Sequence, residues 1–136
     1  MKNLFLSICT AAVLASCGSM TSPSASKVGK AQPALASTKW TLAETVKGKV
    51  PTLNIEGEKI TGNAGCNNYF GTATIDPSTG SFAAGQMGST KMMCSNIGVE
   101  QNFMDMMGKA NKYVVSGNTL ELYKDNLLLL KFTKSE

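Results

Sequence analysis

The residues of this chain that could do chemistry are four cysteines, nine carboxylates and eight methionines. The types missing around them are as informative. Histidine is absent, which removes the usual general base, the usual partner of a Ser or Cys nucleophile and the commonest metal ligand. A carboxylate-based enzyme is the remaining catalytic alternative. The acids, Asp76, Glu121 and Asp125 among them, fall in turns or at exposed strand positions, and their spacing singles out no pair. Cys66 and Cys94 supply too few ligands for zinc. Met87, Met92, Met93, Met104, Met106 and Met107 offer soft thioethers of the kind that hold Cu(I). Met106 and Met107, however, lie on an apolar helical stripe, where Met ordinarily fills irregular core gaps. No catalytic residue, metal or cofactor is therefore expected. The thirteen basic residues are all Lys, with no Arg to grip phosphate or guanine by a bidentate fork. They are scattered singly against nine acids for a net charge of +4, so a solvated surface is expected rather than nucleic-acid binding.

Cys17 has the clearest chemistry. Lys2 gives a basic start, Leu4 to Leu14 form an apolar run, and Leu14-Ala15-Ser16-Cys17 follows. This is the layout of a secretory signal. The run is about eleven residues, well short of the roughly 20 that span a bilayer as a helix. The four residues at the cut look like the lipobox of bacterial lipoproteins. That resemblance implies cleavage before Cys17 and a diacylglyceryl group on its thiol. Each buried methylene adds about 0.8 kcal/mol, so two or three chains hold a protein firmly on a membrane. Residues 1–16 are thus expected as signal peptide and Cys17 as the lipid attachment site.

The destinations of the other thiols follow. Cys9 leaves with the signal, and Cys66 and Cys94 remain as an even pair in an oxidising compartment, which reads first as a disulfide. In the chain-entropy model such a bridge contributes about 3.6 kcal/mol, a large share of the roughly 5–15 kcal/mol that holds a small domain. The alternative is two buried free thiols packed as small hydrophobes.

The elements that must position these residues begin after a tether. Gly18 to Ser37 is rich in Ser, Ala and Thr, with Pro23 and Pro33, and is expected to be disordered for want of apolar surface to bury. Residues 38–136 then form one domain of about 100 residues. Alternation at Trp40-Thr41-Leu42, Leu53 to Ile55, Lys59 to Thr61 and Thr72 to Ile75 reads as strands. The run from Gly62 to Gly71 has glycines that mark bulges or close backbone approach. Val99, Phe103, Met106, Met107 and Ala110 make one helical stripe, with Ser95 or Asn96 as N-cap and Glu100 complementing the helix dipole. Tyr113-Val114-Val115, Leu120 to Tyr123 and Leu127 to Phe132 form an antiparallel meander. Leu127 to Leu130, apolar on both faces, is expected as a covered central strand. The fold class is α+β: an antiparallel, strongly curved sheet, a half-barrel-like meander, packed with one main helix at about 97–110.

The motif order Trp40-x-Leu42, Ile60-x-Gly62-x-x-Gly65-Cys66-Asn67-x-Tyr69-x-Gly71, Thr90-x-Met92-x-Cys94 and Glu100-Gln101-x-Phe103 resembles the META domain family. It continues through Tyr113-x-Val115-x-Gly117, Leu120-x-Leu122 and Leu130-x-Phe132, nearly the whole domain. The similarity is to the HslJ-like bacterial lipoproteins of that family. One departure is Ser95 to Val99, a shorter and more polar lead-in to the helix than the family pattern. The resemblance implies a compact envelope domain linked in general terms to stress and antibiotic tolerance, without established catalytic residues or a substrate. Its motif residues Gly62, Gly65, Asn67, Tyr69, Gly71, Thr90 and Met92 serve as scaffold or as a binding surface. The Asn amides suit either bonding to neighbouring backbone or ligand contact.

The functional expectation is a non-catalytic envelope lipoprotein, held to the membrane by its lipid and recognising an envelope protein or cell-wall partner from the periplasm. Gly18 and Ser19, with no acid after Cys17, favour the outer over the inner membrane. The alternative is binding of a small apolar ligand in a pocket of the curved sheet.

Overall fold

The computed structural model describes residues 25–136. The expected signal peptide, residues 1–16, and Cys17, the expected lipid attachment site, lie outside the described residues.

Eight strands follow one another around a ring: β1 (Thr38–Leu42), β2 (Thr52–Glu56), β3 (Lys59–Asn63), β4 (Asn68–Asp76), β5 (Ser81–Ser89), β6 (Lys112–Ser116), β7 (Thr119–Lys124) and β8 (Leu127–Lys134). Each pairs antiparallel with the next, and β8 returns to β1 through Leu42↔Phe132 and Trp40↔Lys134. The sheet is therefore a closed barrel and not the half-barrel expected. Closure was hidden because it joins the two ends of the domain, and no local pattern reports that pairing. Register shifts at Gly71/Ala73 and at Leu122/Tyr123 bend the strands around the ring.

Alternation within the strands decides what fills the bore. Trp40 and Leu42, Leu53 and Ile55, Tyr69 and Ala73, and Leu120 and Leu122 belong to one buried core, as period-two strands with one inward face require. The helix α1 (Ile97–Lys109), inserted between β5 and β6, completes it. Phe103 has its ring 5.6 Å from Tyr69 on β4 and 6.2 Å from Phe132 on β8. Those strands are diametrically opposite in an eight-strand ring, so Phe103 sits in the bore and α1 lies across its mouth. Phe103, Met107 and Ala110 of the expected stripe are buried, while Val99 and Met106 are half-buried. Asn96 holds the N-cap position but its side chain does not cap the helix. Leu127 and Leu128 differ from expectation: they begin β8 beyond the core and are exposed, and only Leu130 of that run is buried.

The weakest seam is β5–β6, which share the single pair Ser81↔Lys112. The described part of the expected tether seals it. Gln32 donates its backbone N–H to Pro77 O (2.7 Å) and accepts the Val115 N–H on its side chain (3.0 Å). Tyr113 donates its hydroxyl to Pro33 O (2.9 Å), and Leu35 is buried in the core. The boundary expected at residue 38 thus falls inside the ordered domain, because Leu35 and the seam's unpaired backbone groups supply contacts that a composition rich in Ser and Ala conceals.

Alternating connections give the barrel two poles. The β1–β2, β3–β4 and β7–β8 connections and α1 lie at one pole. The tight turns 57–58, 77–80 and 117–118 lie at the other, where Lys27 Nζ reaches Ser116 Oγ at 3.5 Å.

Candidate functional site

The run Gly62 to Gly71 ends β3, crosses the pole and begins β4. Its centre is Asn67, 2 % exposed. An Asn amide has two donors and an acceptor oxygen with two lone pairs, and all are used here. Its Nδ2 donates to Met92 O and to Glu100 Oε2, each at 3.1 Å. Its Oδ1 accepts from Thr90 Oγ1 at 2.8 Å and from Met92 N at 2.7 Å. The backbone N–H of Asn67 adds a 2.8 Å bond to Glu100 Oε2. Asn67 therefore ties together β4, the strand end at Thr90, the segment beyond it and the first turn of α1.

Glu100 was expected only to complement the helix dipole. It is also buried, and the Asn67 N–H groups satisfy its carboxylate. Asn63 and Asn96 complete the frame. Asn63 accepts Gly65 N (2.8 Å) and donates to Asn68 Oδ1 (3.0 Å) and Cys66 O (3.3 Å). Asn96 donates to Gly65 O (2.9 Å) and Lys47 O (3.1 Å), which brings the β1–β2 connection into the same cluster. A Glu in a helix's first turn and an Asn in a turn each have an ordinary local explanation, so only the motif's density of Asn signalled this frame.

The glycines serve close approach. A Cβ on Gly62 would collide with Thr52 O, and one on Gly65, at φ 111°, would lie 2.8 Å from Val99 Cγ1. At Gly71 it would lie 2.8 Å from Gln86 O. Tyr69 points into the bore and donates to Thr52 O at 2.8 Å. Burial raises its pKa above the ordinary 10. Cys66 and Cys94 form a disulfide, Cα atoms 6.0 Å apart, that fastens the segment before α1 to the same run.

The structure thus gathers Gly62, Gly65, Asn67, Tyr69, Thr90, Met92, Cys66 and Cys94 at one pole, with Gly71 further along β4. Their polar groups are spent on one another, so the arrangement is a joint whose chemistry is turned inward. What it offers to solvent is the segment it holds: Met92 is 57 % exposed and Met93 99 % exposed. Among the described residues, no group of three or more Cys, Asp or Glu is placed to hold a metal ion. A recess at the mouth of the barrel, lined by Leu42, Val46, Val99, Phe103 and Met106, has a volume of about 130 Å³. That is below the roughly 300 Å³ at which small-molecule sites begin, whereas an open recess at the other pole, lined by Thr38, Lys39, Asn54, Ile55 and Glu56, has a volume of about 320 Å³.

Comparison with known proteins agrees with this architecture. The family model for the META domain matches residues 33–136, which begins two residues ahead of the buried Leu35. No curated protein matches the chain. Among solved structures, the NMR structure of a protein from Burkholderia xenovorans has a TM-score of 0.63 at 24 % identity, covering 74 % of this chain and 83 % of that one. The crystal structure of a DUF4847 family protein from Bacteroides vulgatus has a TM-score of 0.55 at 15 % identity, covering 75 % and 96 %. At these identities the likeness is one of fold.

Proposed function

The chain belongs to the META domain family, and from that premise we propose that it is a non-catalytic lipoprotein of the bacterial envelope, of the HslJ-like type. It acts as an interaction or stress-tolerance module at the membrane surface. Cys17 carries the lipid, the outer membrane is the destination, and the domain faces the periplasm. The observation that carries this reading is the inward-turned joint around Asn67. The side-chain donors and acceptor of Asn67 are all consumed internally, as suits a joint that holds a surface in place rather than one that turns over a substrate. The filled bore supports it too, since a core of Trp40, Tyr69, Phe82, Phe103 and Phe132 takes the space an apolar ligand would need. The test is metabolic labelling with a clickable fatty acid, followed by separation of inner and outer membranes. Label on the wild type, none on Cys17→Ala, and recovery with the outer membrane are the expected results. An unlabelled wild-type chain released with the soluble fraction would sink the reading.

A further inference from the structure

The two poles of the barrel differ in chemistry. Among the described residues, the exposed large apolar side chains gather at the pole of α1. Val50 (37 % exposed) is in the β1–β2 connection, Met92 (57 %), Met93 (99 %) and Ile97 (38 %) surround the Asn67 joint, and Leu127 (66 %) and Leu128 (43 %) start β8. Phe70, 57 % exposed, is the third residue of β4 counted from the same end. The opposite pole has polar turns, Glu56-Gly57-Glu58, Asp76 to Gly80 and Ser116-Gly117-Asn118. Scattered single apolar residues need no explanation, but their gathering at one end does.

Charge accompanies them. Lys47, Lys49 and Lys91 are exposed beside the Asn67 joint, as the bond from Asn96 to Lys47 O requires for the first two. Glu100, the acid nearest them on α1, is buried and spent on Asn67, and Asp125 on the far side is paired with Lys124. The other exposed acids of that pole are Glu44 in the β1–β2 connection and Asp105 on α1, the latter paired with Lys109. The local excess is basic.

We infer that this pole is a docking surface for an envelope protein that presents an apolar patch with an acidic rim. Two features suit it to that role. The backbone of Met92 is clamped by Asn67 and that of Cys94 by the disulfide, so the strip is fixed before a partner arrives and little ordering entropy is lost on binding. The side chains it carries are methionines, which adapt to irregular apolar surfaces.

The chain leading to Cys17 decides between a protein and a bilayer, and here the inference rests on the lipoprotein reading. The described segment reaches the polar pole, at Lys27 and Ser116. From Ala25 back to Cys17 is about eight residues, which at full stretch span at most about 28 Å. Only β4 and β5 have nine residues and most of the other strands five or six, so at a rise of about 3.3 Å and a tilt of about 40° the barrel wall is about 13–23 Å high before its loops. The link enters at the polar pole, so that pole lies nearest the anchor, and only a link drawn close to its full span would let the apolar pole reach the bilayer. Otherwise the apolar pole faces outward.

The test is photo-crosslinking in intact cells with the full-length chain, carrying p-benzoylphenylalanine at position 93 or, as a control, at position 78 of the polar pole. Both side chains are solvent-exposed, so neither replacement disturbs the core. A discrete adduct to one protein is expected from position 93 and not from 78. The triple variant Lys47→Glu, Lys49→Glu, Lys91→Glu should reduce its yield at least fivefold, with the chain's own abundance unchanged. Adducts only to phospholipid, only to a second copy of the chain, equally from both positions, or indifferent to charge reversal would overturn the inference, as would no adduct at all. Fractionating the same cells separates the two readings. A chain that is not anchored but still gives the charge-dependent adduct refutes the lipoprotein reading and leaves the docking surface standing.

Discussion

Asn67 shows how one amide can settle the arrangement of several segments. Buried polar groups are costly when unpaired, about 1–3 kcal/mol each and more when charged. Asn67→Ala removes the partners of Met92 N, Met92 O and part of Glu100 at once. The expected loss is about 3 kcal/mol, read as a fall in the urea midpoint with the slope unchanged. Tyr69 carries a second prediction, set by pH. Burial raises its pKa in the folded barrel, so above about pH 10 the unfolded chain ionises its phenol first and gains relative stability. The stabilising contribution is complete below pH 10 and is lost as pH rises beyond it. Tyr69→Phe should melt lower at neutral pH, having lost the bond to Thr52 O, yet show a shallower decline between about pH 9 and 11. Tyr113 and Tyr123, also raised by burial, keep the remainder. For Asn67 the sequence favours scaffold over ligand contact but does not name its partner, because Glu100 lies far away along the chain.

At the scale of elements, the disulfide and the helix act together. The bridge spans 28 positions and encloses β4 and β5. Cys66→Ser with Cys94→Ser should cost about 3.6 kcal/mol by loop entropy, measurable as a lower thermal midpoint. Amide exchange should rise first in residues 90–97, while β6 to β8 keep their protection. The strands of the C-terminal meander and α1 were legible from periodicity, because Tyr113, Leu120, Leu122 and Leu130 and the stripe around Phe103 each answer to a single inner face. The exposed Leu127 and Leu128 misled the same logic. Apolar residues on both faces suggest cover on both, whereas here they protrude at a pole.

The whole molecule depends on a part that looked dispensable. Residues 32–35 cross the one-pair seam between β5 and β6, and Leu35 fills the core beneath it. Leu35→Ala should lose about 2–5 kcal/mol, in equilibrium unfolding of the chain. Exchange at Phe82 and Val115, whose N–H groups bond across or beside the seam, should accelerate beyond that of β7. Composition could not reveal this, since one Leu in a polar stretch has no period. The pairing of β1 with β8 carries a consequence of another kind. The ring cannot close until its last strand exists, so most of the chain must wait with the bonding edge of β1 uncovered, a topology that folds slowly. A chain stopped before Leu127 would not be a smaller barrel. It would have two open sheet edges, on β1 and β7, each a template for adding a foreign strand, and its fate would be aggregation rather than partial activity.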